Sequence, residues 1–458
     1  MTVQRSSPGI ICVVLFILLS LLFIQPVAAQ TDPACSARVQ NALSQVGNNC
    51  ADLDVSSACY GHNGVAATFV DGEAGDFGEP SDRVDLENFA GLQTAPYEFN
   101  AAGNELTWGV GVINVPLNIP NAMSGDVEAR LIALGDVLLE ETTSANDLLE
   151  LAEEAVAVTI TTAANLHVLP GTVPGTRAAF TTSTTIPSFN HLPDGTITTI
   201  ASGTELLADG ISPDGQWVRV LSQFDFHMTG WISRDAFGEE AAIDLDNLPV
   251  ISPNSRTALQ SFQLTTGATA APCVEANSQL VVTGPRHKFT HFTANNVDII
   301  VDCTSVLRTV ADSSAPSGFS LEVAVVSGLA IINPFSPAPT GVAPAYRALI
   351  PLDQNADGRF IPVDVNADGF ADVPIEIQPM NAFDLNRISV TASLPDNISV
   401  CEADPVTVIV GSGVGRPLPI FGITERAAAD AQGVCESQRA GALDPRLLPD
   451  TVCETLGF

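Results

Sequence analysis

Positive charge is scarce in this sequence. Of its 458 residues, 18 are Lys or Arg and 52 are Asp or Glu, so the formal net charge is −34 at pH 7. Lys288 is the single lysine. A chain of this charge repels nucleic-acid phosphates and anionic lipid headgroups, so we expect neither nucleic acid nor an anionic membrane surface as a partner. The acidity suits either an exported protein that attracts cations or a protein kept soluble in an acidic or salty setting.

Long apolar runs are equally scarce, and the one that is present lies at the N-terminus. Arg5 precedes the apolar run Ile10 to Ile24, and Val27-Ala28-Ala29 supplies the small residues of a cleavage site. This pattern predicts an export signal over residues 1–29 and a mature chain that begins at Gln30. An uncleaved anchor is the alternative, although the run is short for the roughly 20 residues of a membrane span. We therefore expect a secreted or cell-surface protein without stable membrane insertion after cleavage.

The sequence also has no Cys-x-x-Cys, which argues against a redox motif or a zinc knuckle. Cys12 is lost with the signal, and the eight remaining cysteines are an even number in an oxidising compartment, so we expect disulfides. We predict that the central pair, Cys273 and Cys303, forms one bridge. The outer cysteines form two groups of three, so either one bridge joins the two ends of the chain or two thiols stay free. The outer cysteines are Cys35, Cys50, Cys59, Cys401, Cys435 and Cys453.

No pair of nucleophile and base is recognisable, so we expect a protein that is not an enzyme. Asp302-Cys303-Thr304-Ser305 is similar to the Asp-Cys-Ser-Gly start of cell-wall cysteine peptidases, but such an enzyme needs a histidine downstream as its base. The last histidine, His291, lies upstream of Cys303. His287 and His291 are four residues apart, which on a strand separates their rings by roughly 13 Å. We interpret them as exposed strand histidines rather than metal ligands.

What the sequence does contain is a series of short period-two apolar runs, separated by Gly, Pro and Asp, between Thr161 and Phe237. This pattern predicts short antiparallel strands, and Asp214-Gly215 between two runs predicts a tight turn. The pieces Gly215-Gln216-Trp217-Val218 and Gly230-Trp231-Ile232 resemble the bacterial SH3-like domain, a small barrel with which extracellular proteins bind cell-wall or other surface ligands.

The resemblance implies a ligand groove with aromatic side chains, and a cell-wall or surface glycan or peptide as the partner. Trp217, Trp231 and Phe224 are the stacking candidates for this groove. A position in the core is the alternative for Trp217 and Trp231. The segment 173–194 is longer and richer in Thr than the usual first loop of the family, so the groove is either altered or lost.

The rest of the chain predicts further β structure. Ala37 to Val46 predicts a short helix with Val39, Leu43 and Val46 on one face. Leu321 to Ile332 is rich in Val and Ile and resembles the strand–Gly–strand core of FecR-like surface domains, a pattern that any antiparallel β-sandwich also supplies. We expect a mainly β, multidomain protein with few short helices, in which a small SH3-like barrel is flanked by β-sandwich-like domains. The predicted division is a signal peptide, 1–29; an N-terminal cysteine-containing β-rich domain, 30–155; the SH3-like barrel, 156–238; a linker, 239–257; a β domain with a tandem calcium-loop motif, 258–395; and a cysteine-containing C-terminal region, 396–458.

The tandem motif consists of two copies of Asp-x-Asn-x-Asp-Gly that begin 11 residues apart, at Asp353 and Asp364. Oxygen ligands at positions 1, 3 and 5 and Gly at position 6 are the arrangement of calcium-binding loops. Pro362 and Pro374 argue against the flanking helices of an EF-hand, and the copies look more like the Asp/Asn-rich loops of dockerin and thrombospondin-type repeats. We predict a structural Ca²⁺ site, with Asx turns that bind no metal as the alternative. The predicted ligands are Asp353, Asn355, Asp357, Asp364, Asn366, Asp368 and Asp372.

Together these features predict an exported, non-enzymatic binding protein whose SH3-like domain binds a cell-wall or surface ligand and whose β domain is stabilised by calcium. A hydrolase of wall polymers that is targeted by the SH3-like domain is one alternative. A calcium-dependent adhesion or assembly subunit, in which the barrel only spaces other domains, is the other.

Overall fold

The computed structural model of this chain describes residues 33–70, 72, 77–99, 106–118, 127–149, 155–167, 196–222, 228–238, 245–252, 255–268, 271–285, 290–334, 340–364, 375–399 and 401. The predictions for the signal peptide, the segment 173–194, Phe224, His287, Asn366, Asp368, Asp372, Cys435 and Cys453 lie outside these residues.

The described chain is mainly β, as predicted, and it contains two α-helices. Helix α1 is Pro33–Asn49 and helix α2 is Ala382–Ile388. The strands are β1 Ser57–His62, β2 Val65–Phe69, β3 Arg83–Asp85, β4 Phe89–Thr94, β5 Glu98–Phe99, β6 Leu106–Thr107, β7 Val110–Leu117, β8 Val127–Leu134, β9 Val137–Glu141, β10 Val156–Thr159, β11 Ala164–His167, β12 Thr196–Ile200, β13 Glu205–Ile211, β14 Trp217–Ser222, β15 Met228–Ser233, β16 Ser261–Thr266, β17 Gln279–Thr283, β18 Thr290–Ala294, β19 Val297–Ala311, β20 Phe319–Ile332, β21 Thr340–Val342, β22 Tyr346–Gln354, β23 Phe360–Pro362 and β24 Glu376–Pro379.

Sixteen strands form one large curled sheet. Its main path has the order β2-β4-β9-β16-β18-β19-β17-β8-β7-β1-β3, and β20 to β24 continue the sheet from β19. The long strands β19 and β20, which pair along almost their whole length, are rich in Val and Ile. Branched side chains of this kind favour the extended, pleated backbone, so the predicted strands of this region are confirmed.

Both long strands bend at the same place. Cys303 in β19 lies opposite Gly328 in β20, and the two residues have φ angles of 75° and 77°. The register shifts between Thr304 and Ser305, as in a β-bulge, which bends a strand. A Cβ atom added to Gly328 would lie 1.9 Å from the backbone oxygen of Asp302. Position 328 therefore requires glycine, because a larger residue would overlap the neighbouring strand.

Successive residues of the central strands face two different cores. Leu131 of β8 and Leu280 of β17 face the core enclosed by the curled sheet. Their neighbours Ile132 and Val281 face a second core, which α1 and α2 cover. The face of α1 that was predicted to be apolar contributes Val39, Leu43 and Val46 to this second core. Both faces of the central strands are therefore buried.

Strands from both sides of the segment that resembles SH3-like domains meet in the large sheet. β9 pairs with β16, where Phe262 lies opposite Glu141, and β8 pairs with β17. The predicted domains 30–155 and 258–395 thus share one sheet instead of forming two separate units. Alternation along a strand identifies its buried face, but it does not identify a partner that is distant in sequence.

The chain between β9 and β16 forms a second, six-stranded sheet with the order β10-β13-β14-β15-β11-β12. It has a core of its own, to which Val218, Val220 and Ile232 belong. The tight turn predicted at Asp214-Gly215 is confirmed, since it joins β13 to β14 and Gly215 has a φ of 67°. We call this sheet the inserted sheet. The chain leaves the large sheet after β9 and returns to it at β16, and these two strands are neighbours in the large sheet.

Three disulfides lie in the described residues, with Cα–Cα distances of 5.2 to 5.8 Å. They are Cys35–Cys273, Cys50–Cys59 and Cys303–Cys401. The predicted bridge between Cys273 and Cys303 is wrong. Cys273 lies against α1 in the second core, whereas Cys303 lies at the bend of β19, and each has a nearer partner from a distant part of the chain. Three buried disulfides are typical of proteins from an oxidising compartment.

Candidate functional site

The aromatic residues predicted to stack on a ligand lie on the outer face of the inserted sheet. Because side chains alternate along a strand, Trp217 and Arg219 of β14 point away from the core that contains Val218 and Val220. Trp231 of β15 lies opposite Arg219 in the antiparallel ladder, so it shares this face. We use the term outer face for the surface formed by Trp217, Arg219 and Trp231.

Trp231 is buried on the outer face. Its side chain is 6% exposed and forms an apolar cluster with Leu149 and Ile251, against which Trp217 packs. Leu149 and Ile251 belong to the two connections between the inserted sheet and the large sheet. Trp231 therefore fills a junction, separate from the core of the inserted sheet, and does not line an open groove.

Trp217 is the stacking candidate that stays partly exposed among the described residues. The ring of His167, from β11, meets it edge-on, with 5.2 Å between the ring centroids and an interplanar angle of 85°. An indole ring that is partly exposed offers an apolar surface together with an N–H donor. Trp217 and His167 thus form a half-buried aromatic pair on the outer face.

The turn before Trp217 holds a carboxylate in place. The backbone N–H of Trp217 donates to Ser212 Oγ over 3.0 Å, and Ser212 Oγ donates to Asp214 Oδ1 over 2.5 Å. The backbone N–H of Gln216 donates to the same oxygen over 3.0 Å. The hydrogen bonds from Ser212 and Gln216 lower the pKa of Asp214. Since Asp214 is exposed, a fixed negative charge faces solvent beside Trp217 at neutral pH.

A buried ion pair connects the outer face to the large sheet. Arg219 donates from Nε to Asp209 Oδ1 over 2.8 Å and from Nη2 to Asp209 Oδ2 over 2.5 Å. The same guanidinium donates from Nη1 to Asn118 Oδ1 over 2.6 Å. Asn118 directly follows β7 of the large sheet, and all three side chains are buried. This contact orients the inserted sheet against the large sheet.

Asn118 also begins a series of buried hydrogen bonds within the large sheet. Gln260 Oε1 accepts from the backbone N–H of Asn118 over 3.1 Å. Gln260 Nε2 donates to the backbone oxygens of Asn118 and His291 over 2.9 and 3.0 Å. His291 is 2% exposed, so the prediction of an exposed strand histidine is wrong. The reason is that β18 lies between β16 and β19 inside the sheet and is buried on both faces.

His291 lies next to a carboxylate and an arginine. Its Nε2 is 3.4 Å from Asp298 Oδ1, which accepts a hydrogen bond from Thr293 Oγ1 over 2.8 Å and lies 3.9 Å from Arg256 Nη2. Burial lowers the pKa of His291, although its bond to Asp298 acts in the opposite direction. Burial alone would raise the pKa of Asp298, but His291, Arg256 and Thr293 together hold it well below its usual range. The group therefore pairs a neutral imidazole with an ionised carboxylate inside the sheet.

A second ionic group lies under α2. Glu322 of β20 accepts hydrogen bonds from Arg347 Nη1 over 2.9 Å and from Arg387 Nη2 over 2.6 Å. Asp384 of α2 accepts from Arg347 Nη1 over 3.1 Å. Burial raises the pKa of Glu322, although the charges of Arg308 and Arg347 oppose this shift. This ionic group attaches α2 to the sheet and is covered by α2. We therefore interpret the group as structural.

The first Asp/Asn motif forms the hairpin between β22 and β23. Asn355 Oδ1 accepts hydrogen bonds from the backbone N–H groups of Asp357 and Arg359 over 3.0 and 2.9 Å, and Gly358 has a φ of 79°. This is the Asx turn that was the alternative to a metal loop. The amide oxygen predicted as a Ca²⁺ ligand is thus bonded to the backbone of its own turn.

The carboxylates of this motif are not gathered around a common point in the described residues. Asp353 and Asp357 are exposed, and together with Asp364 they form no group of three ligand atoms within 4.8 Å of one another. One such group exists in the described chain, at Cys35, Cys273 and Glu275, but its two cysteines form a disulfide. Calcium binding by the tandem motif stays a prediction.

Comparisons of this chain with protein-family models, with curated proteins and with solved structures found no match. Within the part of the chain that the structure describes, no helix combines the length and apolarity needed to cross a membrane.

Proposed function

We propose that this chain is an exported, non-enzymatic binding protein that holds a surface polymer at the outer face of the inserted sheet, through Trp217. The observation that carries the proposal is the difference between the two tryptophans of this face. Trp231 is buried in the junction, whereas Trp217 stays partly exposed beside His167 and Asp214. An aromatic ring flanked by polar groups suits the apolar face and the hydroxyl groups of a sugar unit.

Two further features support the proposal. The resemblance of the segment from Thr161 to Phe237 to SH3-like domains favours a cell-wall or surface ligand. The predicted signal and the three disulfides favour export to an oxidising compartment. The large sheet is then the scaffold, and the bond between Arg219 and Asn118 keeps the inserted sheet in one orientation upon it.

The proposal is tested by sedimentation of the mature protein with insoluble cell-wall polymer. An aromatic contact contributes about 0.5–1.5 kcal/mol, so Trp217→Ala should weaken binding roughly twofold to tenfold. Phe383→Ala is the matched control, because Phe383 is an aromatic residue, 47% exposed, on α2, the helix that packs on the large sheet. Thermal unfolding of both variants checks that they are folded. Binding that is unchanged in Trp217→Ala, or reduced equally in Phe383→Ala, would contradict the proposal.

A further inference from the structure

The described chain separates its charges between interior and surface. Of its ten arginines, seven are buried or partly buried: Arg130, Arg219, Arg234, Arg256, Arg308, Arg347 and Arg387. The three exposed arginines are Arg38, Arg83 and Arg359. Fifteen carboxylates are exposed: Asp52, Asp54, Glu79, Asp85, Glu87, Glu98, Glu140, Glu205, Asp214, Asp235, Asp246, Asp353, Asp357, Glu376 and Asp396. The charge that faces solvent in this part of the molecule is therefore predominantly negative.

The buried positive charge is used within the fold. Arg219 is paired with Asp209, and Arg387 with Glu322. Arg234 lies close to the turn before Trp217, since a Cβ atom on Gly215 would be 3.9 Å from its Nη1. Arg234 is itself paired with Asp246. The positive charge of Arg234 beside this turn is thus offset by Asp246, and an anionic polymer that approaches the turn meets a repulsive field.

The environment of Trp217 favours a ligand with positive charge. The face of an indole ring attracts cations through its quadrupole. Asp214 adds an exposed carboxylate, which is linked to the backbone of Trp217 through Ser212. We propose that the polymer bound at Trp217 is a glycan with free amino groups. This inference rests on the binding function proposed above and specifies its ligand.

A glycan matches the two groups better than a basic peptide does. One pyranose ring with an amino substituent presents a flat C–H face to Trp217 and an ammonium group to Asp214 within a single rigid unit. A lysine side chain carries its charge on a flexible stem, whose ordering on binding costs conformational entropy. In this proposal the aromatic ring and the carboxylate, which belong to one hydrogen-bonded turn, act on the same sugar residue.

The test compares polymers that share a backbone but differ in charge. The mature protein is sedimented with chitosan, which has free amines, and with chitin, in which the same amines are acetylated. We expect binding to chitosan at least tenfold tighter than binding to chitin, and weaker binding to chitosan at high salt, because screening shortens the range of charge attraction. Trp217→Ala should weaken binding to chitosan by the same roughly twofold to tenfold that is expected for cell-wall polymer. Asp214→Asn should weaken binding to chitosan clearly more than binding to chitin, whereas the control Asp52→Asn, with the same change in net charge, should alter neither.

The outcomes separate this inference from the binding function. Equal, salt-insensitive binding to chitin and chitosan that still requires Trp217 would overturn the amine specificity and leave the binding function in place. Binding to chitosan that Trp217→Ala retains would be unspecific attraction to an acidic protein and would overturn the inference. Binding to polylysine that requires Trp217, without binding to chitosan, would assign the site to a basic peptide. If the protein binds none of chitosan, chitin and polylysine, the inference is overturned. Sedimentation with whole cell wall then tests the binding function separately.

Discussion

Arg219 and Asn118 join two sheets that are built from different stretches of the chain. Nη1 of Arg219, in the inserted sheet, donates a 2.6 Å hydrogen bond to Oδ1 of Asn118, at the end of β7 in the large sheet. The charge of Arg219 is balanced by Asp209 on the neighbouring strand. The contact between the sheets is thus directional, and it depends on a guanidinium that two oxygens of Asp209 already hold in place.

Replacing Arg219 should destabilise the inserted sheet strongly. Arg219→Met keeps most of the side-chain volume but leaves the carboxylate of Asp209 buried without its cation, so we expect a loss of about 3–5 kcal/mol in the free energy of unfolding. Urea unfolding measures this loss. Arg234→Met is the control, because Arg234 pairs with Asp246 at the surface and such a pair contributes about 0–1 kcal/mol. Similar losses in both variants would contradict the role of the buried pair.

The buried His291 should make stability depend on pH. Burial lowers the pKa of His291 in the folded protein below its ordinary value of about 6.5, so the unfolded chain binds more protons in the range between the two values. Stability therefore rises as the pH rises through this range and falls as the pH falls below about 6.5. His291→Gln should flatten this part of the curve of unfolding free energy against pH. Equal slopes for the two proteins between pH 5 and pH 7, at about 25 °C, would contradict the assignment to His291.

Asp298 adds a second acidic transition at lower pH. Its pKa is held well below the ordinary value in the folded state, so its contribution to stability is complete above about pH 4 and is lost as the pH falls further. Urea unfolding of Asp298→Asn and of the unchanged protein below about pH 4 measures this contribution, and equal slopes of unfolding free energy against pH would contradict it.

The bend of the large sheet can be tested with two glycines of nearly equal φ. Gly318 and Gly328 have φ angles of 78° and 77°, but a Cβ atom on Gly318 would meet nothing within 4 Å, whereas one on Gly328 would overlap the backbone oxygen of Asp302. Gly318→Ala should cost only the left-handed backbone strain, about 1–2 kcal/mol. Gly328→Ala should cost clearly more, because the strands must separate. Thermal unfolding compares the variants, and equal costs would show that the close approach at Gly328 does not matter.

Calcium binding by the tandem motif is tested by thermal unfolding in millimolar Ca²⁺ and in excess chelator. At a free Ca²⁺ concentration about 100 times the dissociation constant, binding to the folded state adds roughly 2.7 kcal/mol to the free energy of unfolding. This raises the midpoint of thermal unfolding. The double variant Asp357→Ala, Asp368→Ala should abolish the shift, while Asp235→Ala, which removes an exposed carboxylate from the turn after β15, should retain it. The same midpoint with and without Ca²⁺ would contradict calcium binding and would show that Asn355 and its neighbours only form a turn.

The sequence predicted those features that depend on residues close to one another in the chain. The apolar face of α1, the turn at Asp214-Gly215 and the strands rich in Val and Ile follow from spacing and from side-chain shape. The sequence also placed Trp217 and Trp231 in short antiparallel strands of one unit, although it did not predict the cluster with Leu149 and Ile251 that buries Trp231.

Features that depend on distant partners were not predictable. The local pattern around His291 resembles that of an exposed strand, and only the position of β18 between two other strands buries it. A charged residue in mid-strand, such as Arg219, is usually exposed, and nothing near it in sequence indicates Asn118. The bridge between Cys35 and Cys273 likewise depends on how α1 packs, which spacing does not reveal.

The position of the inserted sheet has a consequence for the order of folding. β8 and β9 leave the ribosome before the inserted sheet, but their partners β17 and β16 follow it. The strands of the inserted sheet lie within one stretch of chain, so their loops close at a lower entropic cost than those of the large sheet. A nascent chain therefore carries an unpaired β9 edge while the inserted sheet forms. The exposed carboxylate of Glu140 on that edge disfavours pairing with other chains during this interval, until Phe262 arrives opposite Glu141.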